Sequence, residues 1–555
     1  MSTILVIGGY GGFGERLSRR LAAAGHRLLI GGRSAEKAAR LASRLDGARP
    51  LVLDRREDLG PLIRRERPDL VIDAAGPFQG NDYHVPRACL RAGVPYLDLA
   101  DARRFVCGIG TLDGEARAAG VAIVCGASTA PALTGAIARR LADGLEEVRQ
   151  VDIALSAANR TSGGDSVIAA ILSYAGRPVR LWRGGRWTPV PGCQEMRRED
   201  FLFADGSGLE GRLVGIADLP DCELLPASLP GRPALSFRAG TELGFQMRAL
   251  WALTWPVRWG WVRSLAGARP WIMPLYRLTG RLGGKRSAMS VTLTGRRGGA
   301  HVERRWTIVA EQGEGLEVPT LTAELFAGEL LAGRLPAGAY PSTRLLSLDS
   351  FEPLLARLPV RTEIRERTPP PPLYARAMGA AFDTLPPAVR RMHDLRGDFG
   401  ARGEGKVSRG RGLARAIGAA MGFPSEGIWP LHVRFSERDG VERWTRDFGG
   451  QLFSSELSQA GTGVTERFGP LRFDFALLAG PHGLDMRLRR WSAFRIPMPR
   501  FLAPRIVARE REDEQGRFRL DVAVALPLVG DVVAYSGWLV PEPDRPGSEG
   551  TEEHA

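Results

Sequence analysis

Ile4-Leu5-Val6-Ile7-Gly8-Gly9-Tyr10-Gly11-Gly12-Phe13-Gly14 decides how the first part of this chain folds. Four apolar residues without a charge read as a strand buried on both faces, and the glycines after them make a turn too tight for side chains. Glu15 to Ala24 continues as a helix. Within the turn, Gly9-x-Gly11-x-x-Gly14 has the spacing of a dinucleotide fingerprint. The first glycine permits the turn, the second lets backbone approach a pyrophosphate, and the third lets the helix pack on the strand. The phosphate belongs at the helix N-terminus, where unpaired N–H groups and the helix dipole favour an anion.

Strand and helix continue to alternate outward from this turn. Arg27 to Arg33 reads as a second strand and Ser34 caps a helix running through Lys37 and Leu41. In an NAD site an acidic residue at the end of the second strand holds the ribose hydroxyls. Gly32, Arg33 and Ser34 stand there instead. A guanidinium and a hydroxyl suit a 2′-phosphate, so NADP is favoured as the cofactor. Leu51 to Asp54 makes a third strand, with Asp54 placed to reach the adenine edge. Asp69 to Phe78 makes a fourth strand whose carboxyl end carries Ala75, Gly76 and Pro77 along the cofactor. Val94 to Asp98 and Val121 to Gly126 supply two more.

Three separated motifs carry a resemblance: Gly9-Tyr10-Gly11-Gly12-Phe13-Gly14, then Gly76-Pro77-Phe78-x-Gly80, then Cys89-Leu90-x-Ala92-Gly93-Val94-x-Tyr96-x-Asp98. In order and spacing this region resembles the NADP-binding domain of the saccharopine dehydrogenase family. The resemblance implies that Gly9, Gly11, Gly12, Phe13 and Gly14 take the phosphates, Arg33 and Ser34 the 2′-phosphate, and Ala75 and Gly76 the nicotinamide side. The family is broad, so the resemblance implies a cofactor more sharply than a substrate.

The expected fold class is α/β: a Rossmann-type doubly wound parallel sheet over 1–130, an α+β substrate domain over 131–367, and a β-rich antiparallel domain over 374–541. Thr368-Pro369-Pro370-Pro371-Pro372-Leu373 reads as a stiff polyproline linker. Beyond it, Tyr374 to Leu395 and Leu413 to Met421 read as helical, and period-two alternation then predicts seven to nine strands in an antiparallel sheet or half-closed barrel. This last region resembles a bacterial domain of unknown function fused to such dehydrogenases, and the acidic tail over 542–555 reads as disordered.

In the middle domain, Asn159 to Ser166 is a polar stretch ahead of a helix, readable as a carboxylate or amide site or as a plain cap. Leu250 to Tyr276 holds five tryptophans among arginines. A wall over the substrate site, an oligomer interface and a peripheral membrane contact are all open readings of residues 250–276.

The net charge of +14 is almost entirely arginine, spread through the chain without a basic stripe interleaved with aromatics, so no nucleic-acid partner is expected. Five cysteines without paired spacing suggest reduced thiols, and with no signal peptide or spanning run in view the expected location is cytoplasmic. No Tyr-x-x-x-Lys pair, nucleophile elbow or phosphate-binding P-loop is present. The histidines and cysteines lack ligand spacing, so no metal is expected. Candidate proton carriers near the strand ends are His84, Tyr83, Tyr96, Asp98 and Asp101, with Tyr96, Asp98 and His84 taken as the catalytic candidates. The expected function is an NADP-dependent oxidoreductase acting on a small-molecule or lipid-like substrate, with homodimerisation left open. The alternative is a non-catalytic NADP- or lipid-binding adaptor in which the C-terminal domain is the working module.

Overall fold

The computed structural model describes residues 1–161, 164–394 and 396–542. Ser162 and Gly163 of the polar stretch, Leu395, and the tail from residue 543 onward lie outside the described residues.

The first sheet is built from β1 (Thr3–Ile7), β2 (Arg27–Gly32), β3 (Ala48–Val52), β4 (Leu70–Asp73), β5 (Tyr96–Asp98) and β6 (Ala122–Cys125). A seventh strand, Gly338–Pro341, joins β6, and the order runs Gly338–Pro341, β6, β5, β4, β1, β2, β3, all parallel. The order reverses between β1 and β4, and the carboxyl ends at such a reversal frame a ligand crevice. Ile4, Leu5, Val6 and Ile7 are all buried. Their burial contributes roughly 1.5–3 kcal/mol each. Helix α1 (Gly12–Ala23) packs Leu17 and Leu21 inward, and α2 (Ala35–Ala42) is capped by Ser34, whose hydroxyl accepts from Lys37 N at 3.3 Å.

The chain does not leave this sheet for good near residue 130. Gly338–Pro341 returns to it from inside the stretch expected to belong wholly to the second domain, and the helix Glu317–Leu331 packs on α1 through the Arg20–Glu317 ion pair at 2.9 Å. Period-two patterning over four residues is too short to show which sheet a strand joins.

The second sheet is mixed, with seven strands in the order Arg197–Leu202, Gly208–Ile216, Ala234–Thr241, Glu147–Ala157, Ser287–Arg297, Ala300–Ala310, Val360–Arg367. Its central pair is parallel and the other pairings are antiparallel.

The third sheet is a closed antiparallel barrel of ten strands, from Asp398–Arg409 to Gly530–Pro541, with those two strands paired to each other. Apart from that closure each strand pairs with the next strand of the ring along the chain, giving an up-and-down barrel. The expectation of seven to nine strands and partial closure is thereby corrected. Hairpins are local and legible, whereas closure depends on the first and last strands, more than a hundred residues apart. Short helices at Leu373–Met378 and Pro387–His393 contribute Tyr374 and His393 to the core of the barrel domain, their rings 3.7 Å apart.

The proline run does not hold the barrel away. Asp394 meets Arg296 and His301 of the second sheet and gives its carbonyl oxygen to Arg149 at 3.0 Å, while Asp398 accepts from Gly184 N at 2.6 Å.

Candidate functional site

The glycine turn closes as its spacing demands. Gly8, at φ 73°, donates to Gly31 O at 2.8 Å, and Gly11 N donates back to Gly8 O at 2.8 Å. A Cβ at Gly14 would overlap the Gly8 carbonyl and lie 3.0 Å from Gly9 Cα, so helix and turn touch backbone to backbone. Ser18 of α1 pins the turn by donating to Gly9 O at 3.1 Å. No side chain caps the start of α1. Its first N–H groups therefore stay available to an anion, with Gly11, Gly12 and Phe13 around them.

At the end of β2, Tyr10 lies against Gly32 and its hydroxyl accepts from Ser34 N at 2.8 Å. Arg33 is exposed and makes no hydrogen bond or ion pair among the described residues. Asp54 lies just past β3 rather than within it, gripped by Arg56 at 2.6 Å, which with a hydrogen bond from Arg56 N holds its carboxyl well below the usual range. Ala75 and Gly76 follow β4 on the crevice rim. Ala75 N is fixed by Asp73 at 3.0 Å, and Gly76 faces Ser166, at the start of the helix Asp165–Tyr174. The residues present thus fit a dinucleotide, with glycines where backbone must approach, an uncapped helix start for phosphate, and a free guanidinium at the adenosine end.

Between this crevice and the second sheet lies a cavity of about 290 Å³. Phe13, Gln79, Asp101, Ser128 and Thr129 face it from the nucleotide side. Leu155, Ala157, Phe237, Ala239, Met289 and Ile308 line it from the sheet. Ile168, Ile171, Met247, Leu250 and Tyr276 cover it, so the tryptophan-bearing helices Gly244–Arg258 and Arg269–Leu278 form part of its wall.

Among the few polar groups, Asp101 accepts from Gln79 Nε2 at 3.3 Å, and burial pushes its carboxyl up against that bond. Asp218 is likewise raised by burial, opposed by Arg103 at 3.3 Å. Burial, reinforced by the Cys193 thiol and the charges of Asp101 and Asp218, raises the Tyr174 phenol well above its usual value. A carboxyl whose proton affinity is raised by burial beside an apolar cavity is better suited to proton donation than an exposed one.

Tyr96, Asp98 and His84 do not line this cavity. Tyr96 and Asp98 are 0 % exposed. Tyr96 Oη has no hydrogen-bond partner among the described residues. Asp98 Oδ1 accepts from Gly126 N at 2.7 Å and Ala100 N at 3.0 Å, tying the ends of β5 and β6 together, and burial pushes its carboxyl up to about 6. His84, first residue of the helix His84–Ala92, is spent on Asp82 and on Arg55 O at 2.6 Å. All three thus lie off the cavity wall, with Asp98 and His84 engaged in contacts at the strand ends. Tyr83 is bonded to Phe105 O at 2.8 Å, so of the five carriers only Asp101 opens on the cavity.

Sequence reasoning missed Asp73 and Arg55, paired at 2.5 Å with Arg55 also 5.1 Å from the Phe78 ring centroid. The Asp69 to Phe78 strand carried a charge in an apolar run, which was a readable signal. It missed the cavity walls too, since Leu155, Phe237 and Met289 look like any core strand residues. Asn159 turns out structural: its amide donates to Thr279 O at 2.6 Å and Leu282 O at 3.0 Å, and its backbone N to Glu242 at 3.0 Å. Cys89, Cys107, Cys125, Cys193 and Cys222 are all unpaired.

Residues 4–124 match the family described as saccharopine dehydrogenase NADP binding domain. That match spans β1 from Ile4 through β5 and most of β6, while Gly338–Pro341, the seventh strand of the first sheet, lies outside it. Residues 385–539 match a domain of unknown function, DUF4166, which coincides with the barrel. The chain is similar to apo saccharopine dehydrogenase (L-Glu forming) from Saccharomyces cerevisiae, at 13% identity and TM-score 0.47, over 66% of this chain and 100% of that one. It is similar over 22% of its length to 68% of BdcA in complex with NADPH, at 19% identity and TM-score 0.18. A short-chain oxidoreductase from Burkholderia thailandensis aligns over 22% of this chain and 68% of its own, at 20% identity and TM-score 0.19. No curated protein matches the chain. The match over residues 4–124 supports a nicotinamide cofactor, and the geometry of the turn fits a dinucleotide.

Proposed function

We propose that the chain is an NADP-dependent oxidoreductase acting on a lipid-like substrate held in the cavity between the nucleotide domain and the second sheet. The observation that carries this is the cavity itself, which runs from Phe13 and Asp101 at the strand ends onto the apolar face of the second sheet. Arg33, which forms no hydrogen bond or ion pair among the described residues, and Ser34 would hold the 2′-phosphate, and the uncapped start of α1 the pyrophosphate. When bound, the nicotinamide supplies or takes the hydride. Asp101 gives or takes the accompanying proton, Gln79 fixes its carboxyl, and the apolar walls exclude water.

The test is NADPH oxidation against a panel of long-chain and short-chain enoyl, carbonyl and imine compounds. Turnover of long-chain members is expected. Asp101→Asn should lower kcat about a hundredfold or more with NADPH affinity kept. Ala239→Phe, which fills the cavity, should abolish turnover and also keep NADPH affinity. NADPH binding with no turnover across the panel would overturn the reading and favour the adaptor.

A further inference from the structure

Residues 243–286 contain eight arginines and lysines and not one aspartate or glutamate. This is the stretch that walls the cavity from outside. Met247, Leu250 and Tyr276 point inward to it, yet the opposite surface is not polar. Trp261 is 74 % exposed, Trp271 80 % and Leu278 78 %, with Trp259 and Leu275 beside them also exposed. The rings form a continuous ladder: Trp251 to Trp255 and Trp255 to Trp259 are each 5.4 Å apart between centroids, and Trp259 to Trp261 4.8 Å. The ladder runs from half-buried Trp251 and Trp255 out to exposed Trp259 and Trp261, and a cluster of exposed aromatic and aliphatic side chains carries a hydrophobic cost that isolated exposed residues do not.

The charges around this ridge are only partly spent, and Arg258 donates to Gln194 at 2.8 Å. Arg277 and Arg269 share Asp165, and Arg286 holds Glu311. Arg248, Arg263, Arg281 and Lys285 form no ion pair among the described residues. Tryptophan at the depth of lipid headgroups, leucine below and arginine reaching up to phosphate is the chemistry of an interfacial segment.

We propose that the helices Gly244–Arg258 and Arg269–Leu278, with the loop between them, dock this protein on an anionic bilayer surface. A second copy of the chain is a poorer occupant, because a two-fold contact would set this wholly cationic surface against itself. An anionic leaflet meets both features at once, with acyl chains for the rings and headgroup phosphates for the guanidinium groups. Docking would bring the outer wall of the cavity to the membrane surface. The docking claim stands independently of the chemistry proposed above, since it needs neither cofactor nor turnover.

The full chain is tested by vesicle flotation with phosphatidylcholine alone and with about 30 mol % phosphatidylglycerol, at about 0.1 M and about 1 M salt. Flotation with the anionic vesicles at low salt, accompanied by a blue shift of tryptophan emission, is expected, weakening at high salt. The triple variant Trp261→Ser, Trp271→Ser, Leu278→Ser should bind at least about a hundredfold more weakly while still binding NADPH, which reports an intact fold. Arg263→Gln, Arg281→Gln, Lys285→Gln should remove the preference for anionic lipid. The proposal is overturned if the wild type stays with the unbound fraction, if the triple variant floats like the wild type, or if the wild type forms a dimer that the triple variant does not.

Discussion

Gly14→Ala tests the packing on which the cofactor site depends. The added Cβ would overlap the Gly8 carbonyl oxygen and sit 2.9 Å from its carbon and 3.0 Å from Gly9 Cα. All three are backbone atoms, so no rotamer change relieves them. Relief requires α1 to move off the turn by about 1 Å, which breaks register with the Ser18 bond to Gly9 O. Overpacking of this kind costs roughly 1–3 kcal/mol of stability. The larger effect falls on binding, because the phosphate contacts depend on the turn and the helix start together. NADPH affinity is expected to fall at least about a hundredfold, the loss of two or so charge-assisted bonds. Gly114→Ala is the control, since its Cβ meets nothing within 4 Å and it lies inside the helix Asp113–Ala119. Isothermal titration with NADPH and thermal melting of both variants make the measurement. Wild-type affinity and melting temperature in Gly14→Ala would refute the account of the turn.

Other residues give outcomes of different sign. Tyr96→Phe removes a buried hydroxyl that has no hydrogen-bond partner among the described residues, so turnover should be unchanged and stability equal or slightly higher; a large loss of rate would mark Tyr96 as a catalytic group. Glu442, enclosed in the barrel beside Trp444, has its carboxyl pushed by burial from 4.5 up to about 7, with His393 and the Trp444 Nε1 bond opposing. A carboxyl whose folded value lies above its unfolded one favours the folded state fully at pH below 4.5 and loses that advantage as pH rises to 7. The difference is about 3 kcal/mol at most. Asp98 and Asp221, each moved from 3.8 to about 6, act in the same direction over a lower window. Denaturant melts of Glu442→Gln, whose amide oxygen can still accept from Trp444, should match the wild type near pH 4 and exceed it at pH 8. Equal stability of the two at pH 8 would count against a buried, raised carboxyl.

How far the sequence could be read depends on how local the signal was. The turn at Gly9-Gly11-Gly14 was legible because each glycine answers to a backbone contact within six residues, and the structure shows those contacts. The cap that Ser34 gives to α2 was legible from its place after β2. Tyr96 and Asp98 stood out as polar residues in a short strand, and only the structure shows that Asp98 ties two loops and that Tyr96 is buried in the core. The cavity was hidden for the opposite reason. Its walls are Leu, Ala, Phe and Met from distant strands, and period-two patterning cannot tell a side chain facing a packed core from one facing a void. Closure of the barrel and the return of Gly338–Pro341 to the first sheet are likewise long-range pairings that leave no local trace.

The claim that this is an NADP-dependent enzyme is tested most directly by titrating NADPH and NADH side by side against the wild type and Arg33→Ala. The account predicts that the wild type binds NADPH at least about tenfold more tightly than NADH, and that Arg33→Ala loses most of that gap by weakening NADPH alone. Equal affinity of the wild type for the two cofactors would contradict it.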